Sequence, residues 1–429
     1  MSFLDVTLIL FLILVILNYG AHRSVLYPPF IFCSMWLLDL IVFRSGLIEV
    51  DPVHNNTLAI VAAGAVSFSA GGLLAGLAPR RLLSIHLFPP KPKRTPHFLR
   101  NLLMVILLCG LPVMFYQTWR LSLLGSGDGS ILAQARGAMV KAAENGELPD
   151  QPFVLNYFTP IAISISLLLA TEKKDKQFWI VTVIAFIGCI LSTGRGGFLL
   201  LISGLSTIRM LQTKQDSLQS AMRLLRWPII LFLTMYIGLI FTNKNTEGIN
   251  GGVTGIATYF VLSYIVGPLA GFDVVVQQPA KFVVASSHTF QFPLYLGATL
   301  HLIDYTRPPL IDTFVFVPFP ANVYTIYKWY FLEVGILGTL AFLLLFGFAH
   351  SLFYLKAKQG GRFSIYLFAP SILSVLLVIS GDTYYDIGAL LRVAALGLLY
   401  FLIGAMPFRL LPTIKVSQIE NPHPESSSV

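Results

Sequence analysis

The feature that most constrains this chain is a recurring run of apolar residues too long for a soluble domain. Stretches of ~17–25 nearly uncharged residues follow one another, each long enough to carry an α-helix across a hydrocarbon layer. Of 429 residues, 55% are hydrophobic and 11% are charged, where a soluble protein has about a quarter charged. The short alternating segments of a transmembrane β-barrel are absent. The fold expected is therefore all-α: a polytopic membrane protein of about 11 helices, within a range of about 10–13.

The apolar runs fall at 3–18, 27–43, 57–77, 101–116, 152–170, 178–192, 193–210, 227–242, 330–355, 363–380 and 388–406. Their orientation comes from the basic residues. The loop from Arg80 to Arg100 holds Arg80, Arg81, Lys91, Lys93, Arg94 and Arg100 without one acid. Pro89, Pro90, Pro92 and Pro96 forbid a regular helix there. Short basic loops stay on the inner side, so this loop is set inside. Alternation from there puts the N-terminus outside, the C-terminus inside, and about two thirds of all Lys and Arg on the inner side. The net charge of +9 is thus explained by topology, and nucleic acid is not expected as a partner. Residues 1–406 read as a single membrane domain, and the polar tail 407–429 reads as inner and disordered. The first apolar run has neither a basic n-region nor a small-residue cleavage site, so no cleavable signal is expected.

Two outer segments are long. Residues 117–151 contain an amphipathic stretch, Ser130 to Lys141, with Ile131, Leu132, Ala135, Met139 and Val140 against Arg136 and Lys141. Residues 243–327 contain an apolar patch, Val253 to Val276, broken by Gly255, Gly267, Pro268, Gly271 and Asp273. Both its flanks must lie outside, which favours a dipping or surface helix. The three cysteines, Cys33, Cys109 and Cys189, sit inside apolar runs without metal-ligand spacing and read as small core residues. Asp5 and Asp39 are deep enough in their runs to need partners.

Nucleotide loops, His-Glu-x-x-His, nucleophile elbows and zinc patterns are all missing from the sequence. What remains lies at one membrane face. Thr193-Gly194-Arg195-Gly196-Gly197 is a glycine-rich hairpin opening a helix beside an arginine. It suits a phosphate or diphosphate, or else it is a tight turn with a snorkelling Arg195. Asp304 and Arg307 flank a turn as a local ion pair, and Asp382-Thr383-Tyr384-Tyr385-Asp386 is an acid and aromatic turn fit to stack on sugar rings or to anchor at the interface. The stretch from Ala321 to Gly338 carries Asn322, Tyr324, Thr325, Lys328, Tyr330 and Glu333 into a strongly apolar helix. At ~100° per residue, Ile326, Tyr330, Glu333 and Leu337 share one face, while Tyr324, Lys328 and Gly335 share another. A carboxylate one turn inside a membrane helix is a functional candidate. The bland alternative pairs Glu333 with Lys328 or Arg392 and makes Trp329 an interfacial anchor.

The order of these pieces resembles a known family. A Gly-Arg-Gly-Gly hairpin between two spans precedes a long outer loop. Asn322-x-Tyr324-Thr325-x-x-x-x-Tyr330-x-x-Glu333-x-Gly335-x-x-Gly338 follows, entering a helix. This is similar to the Wzy-type O-antigen and capsule oligosaccharide repeat-unit polymerases. The family's hairpin usually reads Gly-Ser-Arg-Gly, where this chain has Thr193-Gly194-Arg195-Gly196. Its later motif often ends Asp-Phe-Gly, where this chain has Glu333-Val334-Gly335. An outer-loop arginine before the middle spans matches Arg136.

The resemblance implies a membrane glycosyltransferase of C-type architecture in the bacterial inner membrane, with its active site and large loops 117–151 and 243–327 on the periplasmic side. Such enzymes join undecaprenyl-diphosphate-linked oligosaccharides into O-antigen or capsular polysaccharide, without cofactor or metal. They work beside a chain-length regulator and other polysaccharide-assembly proteins. The implied catalytic set is Glu333, His288 and Tyr324. Diphosphate and glycan would be held by Arg195, Arg136, Arg120, Lys328, Arg307, Asn322, Thr325, Tyr330 and Asp382. Two other readings share the architecture: an O-antigen ligase moving glycan to the lipid A core, and a flippase or transporter of lipid-linked sugars.

Overall fold

The computed structural model describes residues 1–78, 97–125, 130–144, 157–172, 175–192, 195–220, 222, 252–278, 287–305, 312, 314–381 and 396–398. The inner basic loop up to residue 96, the span at 227–242, Arg307, Asp382, most of the last span and the tail lie outside these residues. The described chain is mostly helical. Helices α1 (Phe3–His22), α2 (Pro28–Ser45), α3 (Asn55–Gly76) and α4 (His97–Leu124) come first. α5 (Ile131–Glu144), α6 (Thr159–Ala170), α7 (Lys176–Leu191) and α8 (Arg195–Thr213) follow. Then come α9 (Gly252–Gln277), α10 (Gln291–Thr299), α11 (Tyr327–Lys358) and α12 (Arg362–Leu376). Five of them, α1 to α4 and α11, are long and apolar enough to cross a membrane. The amphipathic stretch expected at 130–141 is α5, and the patch expected at 253–276 is one helix, α9.

Local chemistry sets the helix ends. Ser2 and Asp5 form a reciprocal capping box that starts α1, and α2 opens on Pro28-Pro29, where the missing N–H is no loss. Asp5 also takes the Arg44 Nε–H at 3.1 Å, which ties the start of α1 to the end of α2. Asp5 thus has the partner its depth demands. Asp39 does not: its carboxyl is fully buried in α2, and neither oxygen has a hydrogen-bond partner among the described residues. Cys33 and Cys189 are buried as expected, but Cys109 is exposed on α4.

The core is built on close helix approach. A β-carbon on Gly71 of α3 would lie 2.0 Å from the Leu344 carbonyl, and one on Gly347 of α11 would lie 2.0 Å from the Phe68 carbonyl. Small residues thus let α3 and α11 meet backbone to backbone. Trp36, Phe32, Phe68 and Tyr27 fill the space around this seam and are wholly buried. A second group, α6, α7 and α8, interlocks through Gly204 against Leu167 and Gly197 against Cys189, and α12 packs on both α8 and α11.

Charged groups collect at one end of the bundle. Arg100 pairs with Asp175 and Glu172, and Arg362 holds Glu172 at 2.6 Å. Lys358 reaches Asp216 at 3.6 Å. These loops are the ones the basic residues assign to a common side.

α11 departs from the expected straight helix. It begins at Tyr327 rather than Tyr330, and Gly335 interrupts it with φ 68° and ψ −174°, a backbone region open essentially to glycine alone. The chain reverses there. Tyr330 stacks near Phe342 at 5.1 Å and near Phe346 at 5.6 Å, although 12 residues of straight helix span roughly 18 Å. Tyr327 and Leu343 likewise both face Gly64. A short arm, 327–334, therefore lies alongside a long arm, 336–358. The reversal cancels the expected face: Leu337 is exposed while Tyr330 is buried.

Candidate functional site

The site is built around the short arm. Upstream, strands β1 (Val315–Phe316) and β2 (Pro320–Ala321) form a small antiparallel hairpin. Val317, Phe319 and Ala321 seat this hairpin on Ala270 of α9. Tyr324 then lies against Gly271, where a β-carbon would be 3.3 Å from its ring. The Ile326 amide donates to the Val378 carbonyl at 3.0 Å, tying the entry of the arm to the turn after α12. The Thr325 hydroxyl accepts from the Tyr327 amide at 3.4 Å, and the helix starts.

Lys328 follows, and its ammonium is buried. It lies 3.2 Å from Asp312, 3.5 Å from the centre of the Tyr324 ring and 4.3 Å from that of Trp329. Aromatic faces attract a cation and shield it from water. Asp312 is the counter-ion, so Lys328 is paired otherwise than in the bland alternative, whose other cation, Arg392, lies outside the described residues. Burial raises the Asp312 carboxyl above the ordinary value, and the Lys328 charge offsets part of that rise.

The His288 imidazole stacks on Trp329, with ring centres 3.7 Å apart and planes within 14°. Burial first, and the Lys328 charge second, push its pKa down to about 4. His288 is therefore neutral at physiological pH. Its backbone belongs to a turn that Glu333 holds. One Glu333 oxygen accepts from the His288 N–H at 2.6 Å. The other accepts from the Ser287 hydroxyl at 2.6 Å and the Thr289 N–H at 3.0 Å. The Ser287 oxygen in turn accepts from the Phe290 N–H. A carboxylate with three donors on it is a strong clamp on this turn.

The structure thus joins Tyr324, Thr325, Lys328, His288 and Glu333 in one cluster, across a separation of 45 residues between His288 and Glu333. Tyr330 belongs to the packing between the two arms, and Asn322 is half-buried beside the hairpin. Arg120 is exposed near the end of α4, and Arg136 sits on α5; these helices pack on one another and α4 on α7, in a different part of the bundle from α11. Arg195 opens α8 as expected of the hairpin. Arg307 and Asp382 lie outside the described residues.

Four residues carry no motif. Asp312 has nothing in its sequence to single it out from the other acids. Trp329 reads in sequence as an interfacial anchor but forms a wall. His54 and Asp273 are 219 residues apart and meet at 2.8 Å. Chemically, the main cluster offers a buried cation that is paired with a carboxylate and held against two aromatic rings. No known protein-family profile matches the chain, and no curated protein or solved structure matches it at a significant level.

Proposed function

We propose that the chain polymerises undecaprenyl-diphosphate-linked oligosaccharide units into O-antigen or capsular polysaccharide, as a membrane glycosyltransferase of the bacterial inner membrane. The observation that carries this reading is the buried Lys328–Asp312 pair, walled by Tyr324 and Trp329, at the reversal of a membrane-length helix. In this reading the chain has about 11 spans, and the short arm and the turn at 287–290 face the periplasm. Chain-length regulation and the remaining assembly steps fall to partner proteins.

The chemistry follows from the substrate. No nucleotide sugar is available outside the cytoplasm, so the donor arrives activated as a lipid diphosphate. Negative charge grows on that diphosphate as its bond to the sugar breaks, and cations placed there stabilise the transition state. Lys328 supplies one by exchanging Asp312 for a phosphate oxygen, and Arg195, at a glycine-rich helix start, supplies a bidentate second. Tyr324 and Trp329 hold the Lys328 ammonium against their rings. Glu333 sets the turn that places His288 on Trp329.

The glycan ladder of a deletion strain tests the reading. Single repeat units on the lipid core are the expected outcome. Long chains that are never attached would instead identify a ligase, and units trapped in the cytoplasm would identify a flippase.

A further inference from the structure

A second polar cluster borders the short arm. Asp273, near the end of α9, is mostly buried and serves the first turn of α3. One of its oxygens accepts from the His54 N–H at 3.0 Å and from the Thr57 hydroxyl at 2.6 Å. The other lies 2.8 Å from His54 Nδ1. Three contacts fix the carboxylate, and the carboxylate fixes the ring. In the neutral ring, a proton on Nδ1 toward Asp273 leaves the lone pair on Nε2. His54 is the N-cap residue of α3, yet its side chain makes no capping bond. The helix does not use the imidazole, which is 62% exposed.

The pair stands next to the proposed site. Phe272, the neighbour of Asp273, packs on Tyr327 at 5.7 Å and on Phe331 at 5.8 Å, both in the short arm. A β-carbon on Gly271 would lie 3.3 Å from the Tyr324 ring. Within the main cluster, the proton-accepting groups are poorly suited to their task. Glu333 already holds three donors. His288 lies flat on Trp329 with a pKa near 4, too low for an efficient base at neutral pH.

We propose that His54, oriented by Asp273, is the general base of this protein, taking the proton of the acceptor sugar hydroxyl; this rests on the polymerase reading above. The acceptor O–H bond breaks toward Nε2, and the oxygen forms its bond to the donor anomeric carbon. The bond from that carbon to the diphosphate oxygen breaks, and the electron pair leaves with the lipid diphosphate. Asp273 stabilises the imidazolium until the proton passes to the diphosphate or to water.

Full-length protein in vesicles tests this, with polyprenyl-diphosphate oligosaccharide extracted from a strain lacking the chain as the probe. His54→Ala should accumulate normally and slow elongation by about 10²-fold or more, with imidazole restoring part of the rate in proportion to its concentration. His54→Asn keeps a donor toward Asp273 and should be equally slow. Elongation at the normal rate in either variant overturns the assignment, as does a loss in His54→Ala that imidazole leaves untouched. Wild-type protein that leaves the extracted units unjoined overturns the polymerase reading itself, and the assignment with it.

Discussion

The Glu333 carboxylate lies 2.6 Å from the backbone N–H of His288, a contact that crosses from the short arm of α11 to the turn before α10. Together with Ser287 and Thr289 it uses the carboxylate purely as an acceptor. Glu333→Gln turns one acceptor into a donor facing a backbone N–H. The expected result is a loss of about 1–3 kcal/mol, with faster amide exchange at 288–290. A thermal midpoint and exchange pattern equal to wild type would remove this clamp from the account.

His288 gives a pH signature. Its folded pKa is pushed below the ordinary histidine value to about 4, so below the ordinary value the unfolded chain binds a proton that the folded chain refuses. The stability this group contributes is fully present above the ordinary value and is lost as pH falls toward 4. His288→Phe keeps a ring on Trp329 without titrating. Its denaturation midpoint should therefore fall less than that of wild type over that window, and parallel pH curves would contradict the assignment.

Lys328 and Asp312 are expected to behave as a unit. Lys328→Met strands a buried carboxylate and costs about 3 kcal/mol. With the offsetting cation gone, the Asp312 pKa moves further up, and stability is present in mild acid and lost as pH rises through that value. Lys328→Met should thus be more stable in mild acid than at neutral pH. Pairing it with Asp312→Leu should restore the midpoint and not the glycan ladder. A single variant as destabilised as before after the second change would show that the two residues act separately.

Gly335→Ala tests the reversal. A β-carbon there meets nothing within 4 Å, so any penalty comes from the backbone at φ 68°. The expected penalty is about 1–3 kcal/mol, accompanied by loss of the contact between Tyr330 and the long arm, read by crosslinking cysteines placed at 330 and 342. A crosslink as efficient as in the glycine parent would argue against the hairpin.

Much of this architecture is legible in the residues. Apolar length marks α1 to α4 and the long arm, glycine and alanine in α3 announce close packing, and of the basic loops the described Arg100, Lys358 and Arg362 gather at one end of the bundle. Helical periodicity then misleads at α11, because it assumes an unbroken axis and a positive φ at Gly335 leaves no trace in hydropathy. Glu333, Lys328, His288 and Tyr324 stand out as polar groups in apolar surroundings, whereas their partners do not. Asp312, Ser287 and the His54–Asp273 pair are contacts made across the fold, and nothing local distinguishes an acid that finds a cation from one that finds water.

The backbone contact between α3 and the long arm of α11 has a mechanical consequence. With Gly71 and Gly347 seated against opposing carbonyls, neither helix can slide or roll without collision, so this seam is stiff. The outer attachments of the short arm, the Glu333 clamp and the Lys328–Asp312 pair, are electrostatic and yield first. Movement of the short arm therefore draws on the turn at 287–290 and on Asp312, while the glycine seam stays fixed.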